Sequence, residues 1–280
     1  MRSQNFQSNN PLLYLIATPI GNLQELSPRA VEVLSNSDII ACEDTRNTAK
    51  LLQFFNISKP LISLREHNEV TAANALINNI KNGKKVAYCS DAGYPCISDP
   101  GNKLVKIALE NNINVATVSG PNAALNALVS SGLETAHYLF YGFLDARETA
   151  AKKELEDLVN EQHTLIFYES PHRIASTLKI LQSVLGNRQI CIARELTKIH
   201  EEFIRTTLDE AIKIDPSTLK GEMVIIVEGN NNKKDINISD DDLIMLVNVY
   251  IKNGLSKKDA IKKVSSITKI NKNIIYDLVH

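Results

Sequence analysis

The sequence predicts a two-domain α/β protein with a small basic helical unit behind it, and three observations carry that prediction. Short, continuously apolar runs alternate with amphipathic segments from Leu12 to Val129, the pattern of strands buried on both faces and of helices that cover them. The apolar runs end in clusters of polar, Gly or Pro residues, as at Thr18-Pro19-Ile20-Gly21 and Ser90-Asp91-Ala92-Gly93, so the shaped loops follow strands, where open α/β sheets bind ligands. Finally, an Asn/Lys/Asp-rich stretch, residues 230–239, separates this part from a lysine-bearing C-terminal segment.

The elements follow in order. Leu12-Leu13-Tyr14-Leu15-Ile16-Ala17 is the first strand. Ser27-Pro28 supplies an N-cap and a proline at the first helical position, and Ala30, Val31, Val33 and Leu34 give that helix its apolar side. Asp38–Cys42 is a second strand ending in Glu43-Asp44-Thr45-Arg46, and the next helix carries Leu51, Leu52, Phe54 and Phe55. Pro60–Leu64 is a strand whose end bears Arg65, Glu66, His67, Asn68 and Glu69; residues 71–81 are helical, with Gly83 as the stop. Lys84–Ser90 is the next strand, Asn102–Glu110 a helix, Ile113–Val118 a strand, and Ser119-Gly120-Pro121-Asn122 a turn into a helix at Ala123–Val129. Repeated β-α alternation of this kind implies a mainly parallel sheet.

Tyr138–Phe143 opens the second domain, followed by an amphipathic helix at 148–160 and a strand from Thr164 that runs into Glu169-Ser170-Pro171-His172-Arg173. A helix through Leu178, Ile180 and Leu181 ends at Gly186; strands at 189–193 and 203–207, a short helix at 208–214 and a strand at 221–229 complete this α+β half. Beyond the linker, helices are expected at 241–252, 257–266 and 271–279, a three-helix unit of helix-turn-helix type. The domain limits read from these shifts are a disordered polar tail at 1–11, an N-terminal α/β domain at 12–125, a second α+β domain at 126–230, and the linker with its basic helical unit at 231–280.

Composition narrows the function classes. With 44% hydrophobic and 22% charged residues the chain has the make-up of an ordinary globular protein. A net charge of -1 gives no global attraction for a polyanion, so any nucleic-acid contact must be local. Such a patch exists: from Lys252 onward seven lysines face two aspartates, a charge balance that attracts phosphates or simply forms a solvated face. The cysteines Cys42, Cys89, Cys96 and Cys191 form no C-x-x-C pair and have no histidine at zinc spacing. They are expected to be buried thiols in a reducing compartment, and no metal is implied. With no signal-peptide core at the N terminus and no membrane-spanning run, a cytoplasmic location is expected.

P-loop, G-x-G-x-x-G and G-x-S-x-G patterns are absent. The densest punctuation lies in Tyr88-Cys89-Ser90-Asp91-Ala92-Gly93-Tyr94-Pro95-Cys96-Ile97-Ser98-Asp99-Pro100-Gly101, where two prolines and two glycines force a strand to end in a loop whose backbone can approach a ligand. Taken with Tyr14–Leu23, Glu43-Asp44-Thr45-Arg46, Ser119-Gly120-Pro121, Phe167–Arg173, Ala193–Lys198 and Lys220–Val224, in that order, this loop closely resembles the tetrapyrrole-methylase superfamily. Within it the chain is similar to the branch that methylates ribosomal RNA, from about Leu12 to Gly229, and the basic tail resembles that branch's C-terminal helix-turn-helix unit.

The resemblance implies a two-domain tetrapyrrole-methylase-like fold that binds S-adenosylmethionine between the domains. It implies 2'-O-methylation of a cytidine in the decoding region of 16S ribosomal RNA within the small subunit, by a homodimer, without a membrane or metal partner. By position, the cofactor contacts it implies are Ile20, Tyr94, Ile97, Asn122, Ala123, Tyr168, Arg194 and Met223. Position 94 departs from the superfamily, where many members carry Asp in a G-D-P sequence, so contact there is expected through the backbone.

A ribose hydroxyl attacking a sulfonium methyl needs alignment and dryness, and gains from a base or a neighbouring positive charge. Strand-end candidates for that help are Glu43, Arg46, Glu169, Arg194, Glu195 and Lys198, with Asp44, His67 and Arg173 beside them. For each, a salt bridge or a helix cap is the plainer role, and Arg46, Arg173 and Lys198 equally suit RNA phosphates. Two other readings compete: a C-methyltransferase of small tetrapyrroles, which needs no lysine-rich tail, and a noncatalytic RNA-binding assembly factor, which needs no cofactor loops.

Overall fold

The computed structural model describes Asn5 and residues 11–231, 239–268 and 270–279. The tail and linker expectations otherwise fall outside the described residues. Contacts divide the chain into two compact units, 1–229 and 230–280.

The first unit contains two five-stranded sheets. One has the order β3-β2-β4-β1-β5, from β1 (Leu12–Ile16), β2 (Ile39–Cys42), β3 (Leu61–Ser63), β4 (Val86–Cys89) and β5 (Asn114–Val118), and every pairing in it is parallel. The crossovers are α1 (Pro28–Asn36), α2 (Thr45–Phe54), α3 (Glu69–Lys81) and α4 (Asn102–Glu110). Strand alternation sorts side chains between two cores. Leu13, Leu15, Ile39, Ala41, Val86 and Tyr88 pack with α3 and α4, whereas Ile16, Ile40, Cys42, Ala87 and Cys89 pack with α1 and α2. Both faces are covered, which is why these strands read as unbroken apolar runs.

The second sheet has the order β6-β7-β10-β8-β9, from β6 (Tyr138–Gly142), β7 (Thr164–Glu169), β8 (Gln189–Arg194), β9 (Glu202–Thr207) and β10 (Met223–Val227). Only β6 and β7 pair in parallel; the other three pairings are antiparallel. Leu165, Phe167, Ile190, Ile192 and Ile225 face a core with α6 (Glu148–Glu156), α7 (Ile174–Leu185) and α8 (Leu208–Ala211). Ile166, Cys191, Ala193, Val224 and Ile226 face α5 (Ala123–Ser131), which follows the first sheet in sequence and packs on the second.

Local chemistry sets the helix ends. Ser27 accepts a hydrogen bond from Ala30 N–H with Pro28 at the first position of α1, so Ser27→Ala is expected to lower stability by about 1 kcal/mol, read as a shift of the urea midpoint. Gly83 (φ +85°) ends α3 by donating to Ile80 O. Two helices are shorter than periodicity predicts. α6 stops at Glu156 and passes into turns. α8 stops at Ala211 because Lys213 and Ile214 bond three residues back, tightening the chain ahead of Asp215-Pro216, where the residue before proline disfavours helix.

The C-terminal unit packs α9 (Asp240–Lys252), α10 (Lys257–Thr268) and α11 (Lys272–Val279) around Leu243, Val247, Ala260, Ile261, Val264 and Ile275. Ser256 accepts from Asp259 N–H to start α10, and Lys258, Lys262 and Lys263 are exposed on it.

Candidate active site

Because β1, β4 and β5 are parallel neighbours, their following loops emerge on one edge of the first sheet. Thr18 and Gly93 exchange backbone hydrogen bonds of 2.9 and 3.0 Å, joining the loops after β1 and β4. The Thr18 hydroxyl donates to Ser90 O at 3.2 Å. The Tyr94 hydroxyl accepts from Gly120 N–H at 3.2 Å and ties in the loop after β5. Position 94 thus uses its side chain as a strut between loops, and Gly120 is required at its turn because a Cβ there would lie 2.9 Å from Ala17 O.

These loops form one wall of a cavity of about 350 Å³ whose other wall comes from the second sheet and α5. Ile20, Tyr94, Ile97, Asn122, Ala123, Tyr168 and Met223, all expected at a cofactor site, line it together. Arg194, the eighth, does not: it alternates to the face opposite Ala193, its guanidinium pairs with Glu202 on β9 at 2.5 Å, and it borders a separate hollow with His200 and Lys220. Asn122 caps α5 by accepting from Leu125 N–H, and Ala124 N–H donates to the Tyr168 hydroxyl, so the start of α5 is held against β7. Phe140 and Phe143 stand edge-on to Tyr168 at 5.0 and 5.5 Å.

The candidates for catalysis scatter. Glu169 lines the cavity, but its side chain is 1% exposed and accepts from Ser170 N–H at 2.7 Å and from the Thr177 hydroxyl at 2.5 Å. Glu43 lies outside the lining, with its carboxyl pushed up by burial and then by Asp91. Arg46 is 82% exposed and paired with Asp44, whose carboxyl it holds well below the usual range. Lys198 bridges Glu195 and Glu222 at 3.0 and 3.3 Å, and its loop presses on Gly21, where a Cβ would meet Lys198 Cγ at 2.6 Å. Arg173 donates to Leu144 O and Asp145 O, and holds the loop after β6. His67 sits in the short 3-10 turn Glu66–Asn68.

Several lining residues escape sequence reasoning: Ser98, Asp99, Phe143, Ser170, Leu196 and Glu222. Asp99 had a signal, its place in the same Gly/Pro loop as Tyr94 and Ile97. Burial raises its carboxyl to about 6, with Glu43 and Asp91 adding to the effect and a hydrogen bond from Ser90 opposing it. Among the described residues, the charged ones lining the cavity are all acids, Asp99, Glu169 and Glu222, set among aromatic and aliphatic walls. That donor set suits a cationic ligand with an aromatic ring and is a poor match for phosphates. The described residues contain no cluster of potential metal ligands and no helix long and apolar enough to cross a membrane.

Residues 12–212 match the model of the Tetrapyrrole (Corrin/Porphyrin) Methylases, and the chain belongs to that class of methyltransferases. Its fold is similar to that of uroporphyrin-III C-methyltransferase from Thermus thermophilus complexed with S-adenosylhomocysteine. That likeness has a TM-score of 0.56 at 16% identity and covers 77% of this chain and 96% of that one. Within the family the relatives are more specific. The chain is 42% identical to ribosomal RNA small subunit methyltransferase I of Bacillus subtilis, over 99% of this chain and 97% of the relative. To the protein of the same name from Halalkalibacterium halodurans it is 44% identical, over 96% and 94%. It is an enzyme of this ribosomal RNA small subunit methyltransferase I branch.

Proposed function

We propose that the chain transfers the methyl group of S-adenosylmethionine to the ribose 2'-hydroxyl of a cytidine in the decoding region of 16S ribosomal RNA, acting in the cytoplasm as a homodimer. The observation that carries this reading is its near-full-length identity to ribosomal RNA small subunit methyltransferase I proteins, together with an acid-lined, ring-walled cavity where the cofactor loops meet. The cofactor supplies a methyl group already activated by a positively charged sulfur. What remains for the protein is to hold donor and hydroxyl in line and to keep water out. Tyr94, Phe143 and Tyr168 offer ring faces, Ile20, Ile97 and Met223 give apolar packing, and the lining acids favour the positive charge of the bound donor.

Calorimetry is expected to show S-adenosylmethionine binding, and small-subunit particles lacking the modification should gain one labelled methyl at one ribose. Label on a porphyrinogen would move the reading to a tetrapyrrole methylase, and binding of RNA without methyl transfer to an assembly factor. Sedimentation of the purified chain tests the dimer. The C-terminal unit is read as the part that grips RNA phosphates. Replacing Lys258, Lys262 and Lys263 with Gln is expected to weaken particle binding about tenfold or more and to flatten its salt dependence by a slope of about 2 to 3. Cofactor affinity should stay unchanged. An unaltered slope would remove this role from the unit.

A further inference from the structure

We propose that Asp99 is the proton acceptor for the attacking hydroxyl, a proposal that rests on the methyltransferase reading above. Three carboxylates border the cavity, and their partners separate them. Glu169 is already engaged: one oxygen accepts from Ser170 N–H and lies 3.8 Å from the Arg173 guanidinium, the other accepts from the Thr177 hydroxyl, and the side chain is 1% exposed. Glu222 is 82% exposed, with its carboxylate 3.3 Å from the Lys198 ammonium. Asp99 alone of the three is half-buried and has no ammonium or guanidinium among the groups that shift it.

The backbone around Asp99 is held as a reacting group requires. Ser98 before it and Cys96 two residues earlier adopt φ of 60° and 72°, left-handed values rare for residues with a Cβ. Pro100 after it confines Asp99 to extended conformations. Pro100 O accepts from the hydroxyl of fully buried Tyr88 at 2.7 Å and from Cys96 N–H at 3.3 Å, and Gly101 N–H donates to buried Glu69 at 2.9 Å. A loop anchored from β4 and α3 therefore holds Asp99 in the cavity lining, with its carboxylate near enough to the Tyr168 hydroxyl to act on it.

In the step assigned to it, the 2'-oxygen bonds to the methyl carbon while the carbon–sulfur bond breaks and its electron pair stays on sulfur; the hydroxyl proton passes to an Asp99 carboxylate oxygen. The groups acting on Asp99 or acted on by it are Glu43 after β2, Ser90 and Asp91 after β4, Tyr88 within β4, Cys96 in its own loop, and Tyr168 on β7. Burial comes first and the two acids next in raising its carboxyl to about 6. Such a group is ionised at neutral pH yet basic enough to take a proton.

The test uses the full chain with small-subunit particles. Asp99→Asn is expected to lower kcat about 100-fold or more, with the S-adenosylmethionine Kd by calorimetry rising by no more than about tenfold for the loss of one lining acid, and Asp99→Glu to recover part of the rate. Activity of the unmodified protein should rise with pH through about 6 and then level off, and that limb should vanish in Asp99→Asn. Carbon-13 difference spectra of the unmodified protein against Asp99→Asn should show one carboxyl titrating near pH 6 without cofactor or RNA. A kcat kept within threefold, a loss confined to cofactor affinity, or a carboxyl titrating in the ordinary range each overturns the proposal. No methyl transfer to RNA by the unmodified chain, with Asp99 still titrating near 6, would overturn the reading beneath it and the proposal with it.

Discussion

Gly101→Ala is expected to destabilise the protein by about 2–4 kcal/mol and to abolish S-adenosylmethionine binding. Gly101 has φ +126°, a value an L side chain resists. A Cβ there would lie 2.5 Å from Tyr88 Cε1 and 2.8 Å from Cys96 Sγ. The Tyr88 ring is fully buried in the core under α3 and α4 and cannot swing away, so the loop must move. Moving it breaks the Tyr88–Pro100 and Glu69–Gly101 hydrogen bonds and shifts the loop that carries Tyr94, Ile97 and Asp99. Urea unfolding followed by circular dichroism, with calorimetry of the folded fraction, measures both effects; an unchanged midpoint would refute the account of this loop.

Tyr168→Ala is the second large effect. It removes the ring that meets Phe140 and Phe143 edge-on and the hydroxyl that accepts from Ala124 N–H at the start of α5. Stability is expected to fall by about 2–3 kcal/mol and the cofactor Kd to rise about tenfold or more, the equivalent of about 1.4 kcal/mol. Tyr168→Phe keeps the ring and loses one hydrogen bond, so its loss should be about 1 kcal/mol with cofactor affinity nearly retained. Equal affinities for the alanine and unmodified proteins would show that this ring is no part of the ligand's wall.

How far the site could be read ahead of the structure depends on the kind of signal. Ile20, Tyr94, Ile97, Asn122 and Ala123 sit in loops whose Gly and Pro content marks them, and parallel strand order brings such loops to one sheet edge. Arg194 closes β8 ahead of an equally clear loop, but sequence adjacency to Ala193 does not say that the guanidinium will find Glu202 on β9. Glu69 illustrates the same limit. It read as one of several polar residues after a strand, yet it is buried and caps backbone donors of Gly101 and Lys103, more than thirty positions away. Phe143 and Leu196 reach the cavity only because the second sheet stacks its loops against the first.

By itself the sequence determined the alternation of strands and helices, the caps at Ser27 and Asn122, the strand-end loops and the lysine-bearing tail, because each depends on residues within a few positions of one another. The tertiary structure decided that α5 serves the second sheet, that Glu169 is engaged by Ser170, Thr177 and Arg173, and that Asp99 is the cavity acid with no cationic partner among the described residues. Those outcomes depend on burial and on partners from distant segments, and local pattern carries no information about either.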